Sequence, residues 1–203
     1  AAQCGCTVYS VNYRTPPDHP FPAALDDAVA VYRELLKRHE PADLAIAGES
    51  AGGNLAAAVT LKIRDAGLPM PGMVVLLTPG VDLTNSGDSS VTNLGLDARL
   101  TDDSADVSTL YADGHDLRDP YLSPVFGDFS KGFPPTLIQG GLKETLLSGF
   151  VRLYQALDTA GVPVKLDLYE GMIHNFQDRI PDAPESLLAR RKMQEFLFQH
   201  LKM

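Results

Sequence analysis

"IAGESAGGNL", residues 46–55, sets Ser50 between Gly48 and Gly52 in the pattern G-x-S-x-G. A short apolar run, "DLAIAGES", leads into it, and an alanine-rich run, "AGGNLAAAVTLKIRDAG", leads out and stops near Gly67. The first has the length of a buried strand and the second that of a helix. A serine on such a strand-to-helix turn stands exposed at the end of a sheet, and glycines on either side let neighbouring backbone come close. The first N–H groups of a helix have no partner within it, and its dipole favours negative charge there. Ala51 and Gly52 are therefore candidate donors to an oxyanion forming beside Ser50.

Serine is a weak nucleophile at neutral pH and needs a base. In this strand–turn–helix setting the partners follow the serine in the chain, acid and then histidine, each after a strand. Of the five histidines, His19 and His39 come before Ser50, and His200 lies inside the last helical run. His115 sits in a polar stretch ahead of any suitable acid. His174, in "YEGMIHNF", comes just after the last strand-like run and is the candidate base. The acid should follow "PPTLIQGG", where Glu144 in "GGLKETLLS" is the near candidate and Asp158 lies a helical turn or more too far along. Glu144 would then fix the imidazole tautomer and stabilise the imidazolium. Without that chemistry, His174 reads as a buried turn histidine and Glu144 as a first-turn glutamate complementing a helix dipole.

The rest of the chain supplies the frame for such a turn. "CTVYSVNY", residues 6–13, reads as a strand, and the four prolines of "RTPPDHPFP" forbid regular structure after it. Ala24, Ala28, Val31 and Leu35 share one helical face, as do Leu146, Phe150, Leu153 and Leu157. "GMVVLLTPG" is continuously apolar, as a strand covered on both sides should be. Val164, Leu166 and Leu168 alternate with Lys165, Asp167 and Tyr169, which predicts a strand near the sheet edge with one wetter face. "PESLLARRKMQEFLFQHLKM" is an amphipathic helix. Alternating strands and helices imply a single α/β domain over residues 1–203, with a mostly parallel sheet covered by helices on both faces. Residues 82–130 are polar, weakly periodic and too long for a plain connection. They are expected to form a cap-like insertion with a helix or two over one end of the sheet.

Composition narrows the partners. The 203 residues are 44% hydrophobic, and the formal charge is 17 − 26 = −9. That sign argues against nucleic acid or an anionic membrane surface, and no apolar run approaches a membrane span. Cys4 and Cys6 would share one face of a strand, which is poor geometry for a bridge. Unbridged cysteines fit a reducing, cytoplasmic location. No zinc-spaced cluster, P-loop or dinucleotide fingerprint is present, so no cofactor or metal is expected.

Together these stretches resemble the bacterial hormone-sensitive-lipase-like carboxylesterases of the α/β-hydrolase fold. "GESAGGNLAAA" resembles that family's nucleophile elbow and "SVNYRTPPDHPFPAALDDAV" its segment after the fourth strand. "DPYLSP" resembles its post-cap motif, and "GLKETLLS" and "GMIHNF" its acid and histidine loops. The resemblance implies Ser50 as nucleophile, Glu144 as acid and His174 as base, acting on short acyl esters through an acyl-enzyme. It also implies dimerisation through the last strand and helix as one mode of association. Many relatives carry aspartate where this chain has Glu49 and Gly149. The prolines and aspartates of "DHPFPAALDD" and "DPYLSP" read as structural, with Asp26 or Asp119 bonding local backbone.

The family's HGGG loop, which supplies further oxyanion donors, has no counterpart in these 203 residues. Its strand would lie between the strands matching 6–13 and 44–49. Three outcomes are expected of that slot: a longer natural protein, another chain filling it, or closure of the two strands on each other. Two other functions compete with the small-molecule ester hydrolase. A non-catalytic relative would fit the missing loop, and an amidase or lactonase would use the same three groups.

Overall fold

Val74, Leu76 and Ile138 point to one side of a sheet, and Met73, Val75 and Leu137 point to the other. Both sets are buried because helices cover both faces. A computed structural model describes residues 4–97 and 104–201. Its strands are β1 (Ala45–Glu49), β2 (Met73–Leu77), β3 (Thr136–Gly141) and β4 (Val164–Tyr169). All are parallel and lie in chain order, β1-β2-β3-β4. The helices of more than one turn are α1 (Ala23–Leu35), α2 (Ala51–Asp65), α4 (Ser104–Ala112), α5 (Leu147–Thr159) and α7 (Pro184–His200). Short α3 (Ser89–Thr92) and α6 (Phe176–Arg179) complete the order.

The α2 and α5 helices cover one face through Ala57, Leu61, Phe150, Leu153 and Leu157, and α1 packs outside α2. The α7 helix covers the other face with Phe196. All six residues of β3 are buried, as expected of a strand with neighbours on every side. Residues 82–130 carry α3, α4 and 3₁₀ turns at Pro124–Phe126 and Phe129–Lys131. Asn54 of α2 pins both of its ends, donating from Nδ2 to the carbonyls of Gly80 (2.7 Å) and Leu122 (2.8 Å).

Two expectations are corrected. Residues 6–13 form no strand: no ladder joins them to β1 or to any other described strand. Val8 is 66% exposed and Tyr9 49%. A cleft of about 360 Å³ lies between this segment and the open edge of β1, lined by Val8, Val11, Tyr13, Tyr32, Ile46 and Leu55. The β-branched and aromatic pattern needs a neighbouring strand to become a strand, and none is within reach. So the two segments have not closed on each other. Instead Arg14 and Tyr9 hold the segment by their side chains, Arg14 to Asp27 (2.8 Å) and Tyr9 to His39 (3.2 Å).

The second correction concerns β4. It is the edge strand, but of its polar side only Lys165 is exposed. Asp167 and Tyr169 are buried beneath α7. Asp167 accepts from Gln139 Nε2 (2.9 Å), Tyr169 Oη (2.6 Å) and Lys192 Nζ. A charge alternating with leucines can thus mark a satisfied buried carboxylate rather than a solvated face. Near α1 it is Asp27 that clasps Arg14, and Asp119 bonds local backbone through Tyr121 N–H (2.8 Å).

Candidate active site

The end of β1 turns so sharply that only glycine fits at position 48. A Cβ there would stand 2.0 Å from the Gly52 carbonyl oxygen. Gly52 itself would meet nothing; the second close approach falls on Gly53, whose Cβ would lie 2.7 Å from Pro79 Cβ. Gly52 instead lines the cleft beside β1. Ser50 adopts φ 57° and ψ −118°, a conformation costly for any residue with a Cβ. Its main chain is held by Leu77 O, which accepts from its N–H (2.9 Å), and by Asn54 and Gly80, whose N–H groups donate to its carbonyl (both 3.1 Å).

Serine at the start of a helix ordinarily caps it. Ser50 makes no such bond. Its Oγ lies 2.8 Å from His174 Nε2, and His174 Nδ1 lies 2.7 Å from Glu144 Oε2. The other carboxyl oxygen, Glu144 Oε1, accepts from the Gly141 N–H at 2.6 Å. A carboxylate only accepts, so the Nδ1 facing it carries the proton and Nε2 is left to accept from Ser50. The structure thus brings Ser50, Glu144 and His174 into one chain of bonds, although 124 residues separate the first from the last. Ala51 and Gly52 open α2, with N–H groups in its first turn that have no partner inside the helix.

Glu144 is fully buried and His174 is 5% exposed. Burial pushes the Glu144 carboxyl above the ordinary carboxylate range, against the pull of the His174 bond and the Gly141 N–H. Glu49, next to Ser50, is pushed up in the same direction, first by burial and then by Asp178. Close passage of the two loops also demands glycine. A Cβ on Gly141 would lie 2.2 Å from the Met172 carbonyl oxygen. Met172 O accepts from Lys143 N–H (3.1 Å), tying the loops main chain to main chain.

The other histidines do other things. His115 packs edge-on against Phe21, His200 lies tilted against Phe196, and His39 faces Tyr9 Oη. Three contacts at the site escape a reading of the chain. Asp97 accepts from the His174 N–H, Asn93 donates to the Glu144 carbonyl (2.9 Å), and Thr78 Oγ1 donates to Asn175 Oδ1 (2.5 Å). Thr78 and Asn175 both take positive φ, at 44° and 58°. No local side-chain pattern marks these residues as parts of the site.

The α/β-hydrolase fold model matches residues 1–178. The chain belongs to the α/β-hydrolase fold family. Among its relatives is the acetyl-hydrolase of Streptomyces hygroscopicus, 40% identical over 189 residues, covering 91% of this chain and 62% of the relative. An esterase of Acinetobacter venetianus is 36% identical over 199 residues, covering 97% and 65%. A crystal structure of an esterase from the bacterial hormone-sensitive lipase family superposes with a TM-score of 0.90 at 35% identity, over 94% of this chain and 65% of that one. The chain is therefore hormone-sensitive-lipase-like, and it spans under two thirds of the length of these relatives. Among the described residues of this α/β-hydrolase, no helix is long and apolar enough to cross a membrane. Nor does any group of three or more His, Cys, Asp or Glu among them stand placed to hold a metal ion.

Proposed function

We propose that this chain hydrolyses short-chain carboxylic esters through an acyl-enzyme, with Ser50 as nucleophile, His174 as base and Glu144 as the acid that orients it. Ser50 Oγ attacks the ester carbonyl carbon while its proton passes to His174 Nε2. The carbonyl oxygen becomes an oxyanion beside the N–H groups of Ala51 and Gly52. Collapse expels the alcohol, which takes the proton from Nε2, and leaves the acyl group on Ser50. Water, deprotonated by the same nitrogen, then releases the carboxylic acid and restores Oγ–H.

The observation that carries this reading is the run of two short bonds, 2.8 Å and 2.7 Å, from the strained serine through a buried imidazole to a buried carboxyl. The names of the relatives, esterase and acetyl-hydrolase, support the ester as substrate. Ser50→Ala is expected to abolish both turnover of p-nitrophenyl acetate and labelling by a fluorophosphonate. Turnover that survives the change defeats the assignment.

The open cleft beside β1 supports a second element of the reading. An extended segment seated there, from this protein or another chain, would run up to the Ser50 end of the sheet and could add oxyanion donors beside Ala51 and Gly52. One missing donor costs roughly 10²–10³ in rate. The 203-residue chain by itself should therefore label at Ser50 yet turn over the acetate ester at least about 10²-fold more slowly than the full-length Acinetobacter esterase. Equal turnover would mean that Ala51 and Gly52 suffice.

A further inference from the structure

The first half of the insertion is bonded to both loops that carry the imidazole and its acid. Ser89 Oγ donates to the Thr145 carbonyl (2.7 Å) and accepts from the Ser148 N–H (2.8 Å). Ser148 Oγ in turn accepts from the Ser89 N–H (3.0 Å). Asn93 Nδ2 donates to the carbonyls of Leu142 (3.0 Å) and Glu144 (2.9 Å), one on each side of Lys143. Asp97, 1% exposed, places Oδ2 on the backbone N–H of His174.

Within residues 89–97, Ser89, Asn93 and Asp97 therefore face inward, and the apolar side chains face outward. Val91, Leu94 and Leu96 are 76%, 47% and 54% exposed. An ordinary surface segment does the reverse. Burying a carboxylate is costly unless it is well bonded. Here one is buried against a main-chain N–H of a loop residue, where a surface loop would need none.

We propose that residues 89–97 are a brace that sets the separation of Glu144, His174 and Ser50, with Asn93 and Asp97 as positioning residues for the hydrolysis proposed above, on which this inference rests. The His174 main chain lies in a loop between Gly171 (φ 72°) and Asn175 (φ 58°) and outside any helix or strand. The Glu144 main chain lies in a turn ahead of α5. Neither loop has a ladder or helix to hold it at the hydrogen-bond tolerance that proton transfer needs. A misplacement of about 1 Å at such a centre can cost about 10² in rate. The brace adds anchors from a third element to the Lys143–Met172 tie between the loops, so the insertion orders the catalytic groups as well as bordering the site.

The test measures kcat and KM for p-nitrophenyl acetate, the rate of fluorophosphonate labelling and the melting temperature on the 203-residue chain. Asp97→Ala is expected to lower kcat and the labelling rate roughly 10- to 100-fold with KM unchanged within about two-fold. Asp97→Asn keeps an acceptor for the His174 N–H and should recover to within about three-fold of the parent. Asn93→Ala should cost less, and in the Asp97→Ala background less again than it costs alone, as two anchors of one brace should. If Asp97→Ala does not fold, Asp97→Ser, whose hydroxyl falls short of the N–H, takes its place. A parent-like kcat in Asp97→Ala, a loss confined to KM, or an Asp97→Asn variant as impaired as the alanine would each overturn the brace. Failure of the hydrolase reading is seen separately, as Ser50→Ala leaving the parent's rates unchanged. The brace is then judged by the His174 Nδ1 proton in NMR spectra, which should move in Asp97→Ala and hold in Asp97→Asn, and which by staying put in both would refute it.

Discussion

Ser50 combines a left-handed backbone with an Oγ turned away from the helix it could cap. That strain is tolerated because Leu77, Asn54 and Gly80 hold its main chain from three directions. At Glu144 stability and chemistry oppose each other. Burial raises its folded-state affinity for a proton above that of the unfolded chain. The folded state then binds more protons than the unfolded one between the ordinary and the raised value, so this residue's contribution to stability falls as pH rises through that window. Glu144→Gln removes the ionisation penalty and turns the tautomer the wrong way. It is expected to lower kcat by roughly 10⁴-fold while raising the melting temperature at neutral pH, a gain that fades toward acid pH. Kinetics and thermal melts across pH check both halves. Ser50, Glu144 and His174 were legible in the sequence because chain order and strand-following loops restrict where they can stand. Asp97, Asn93 and Thr78 were not, because Asp97 and Asn93 meet main-chain atoms 77 and 51 residues away and Thr78 meets a side chain 97 residues away. No side-chain pattern encodes such a meeting.

At the scale of elements, the two tight passages are the most exacting. Gly48→Ala drives a Cβ to 2.0 Å from a backbone oxygen, and Gly141→Ala drives one to 2.2 Å. Neither neighbour is a flexible side chain that can yield. Each change is expected to destabilise the fold by about 3 kcal/mol or more, read from urea unfolding midpoints. Gly52→Ala, whose Cβ meets nothing, should cost far less. The N-terminal segment depends on a different kind of contact. Arg14 holds Asp27 through its side chain and its N–H and pulls the carboxyl down to about 2, so the clasp stays ionised through the working pH range. Asp27→Ala should release residues 6–14 and speed limited proteolysis there without a large fall in melting temperature. Helices and strands with a clear period, such as α1, α5 and β2, were readable as they stand. Residues 6–13 carry a strand pattern without forming a strand, because strand character belongs to a pair of chains and only one member is within reach.

At the scale of the molecule, the described four-stranded sheet ends at β4 on one side and at β1 on the other, and the β1 edge borders the cleft. Amide hydrogen exchange should show it. Amides of β1 are expected to exchange faster than those of β2 and β3, which have ladders on both edges. Equal protection would mean that the open edge is covered in solution. The amino-acid sequence by itself determined the α/β architecture, the turn that carries Ser50 and the order of its partners. It could do so because periodicity and tight-turn chemistry act over a few residues. Tertiary structure alone decided that the β4 carboxylate is buried under α7 and that residues 6–13 stand off from β1. It also decided that residues 89–97 clasp the acid and base loops. Each of these depends on whether a distant backbone atom or strand edge stands within hydrogen-bond reach, a property of the packed chain and not of any local pattern.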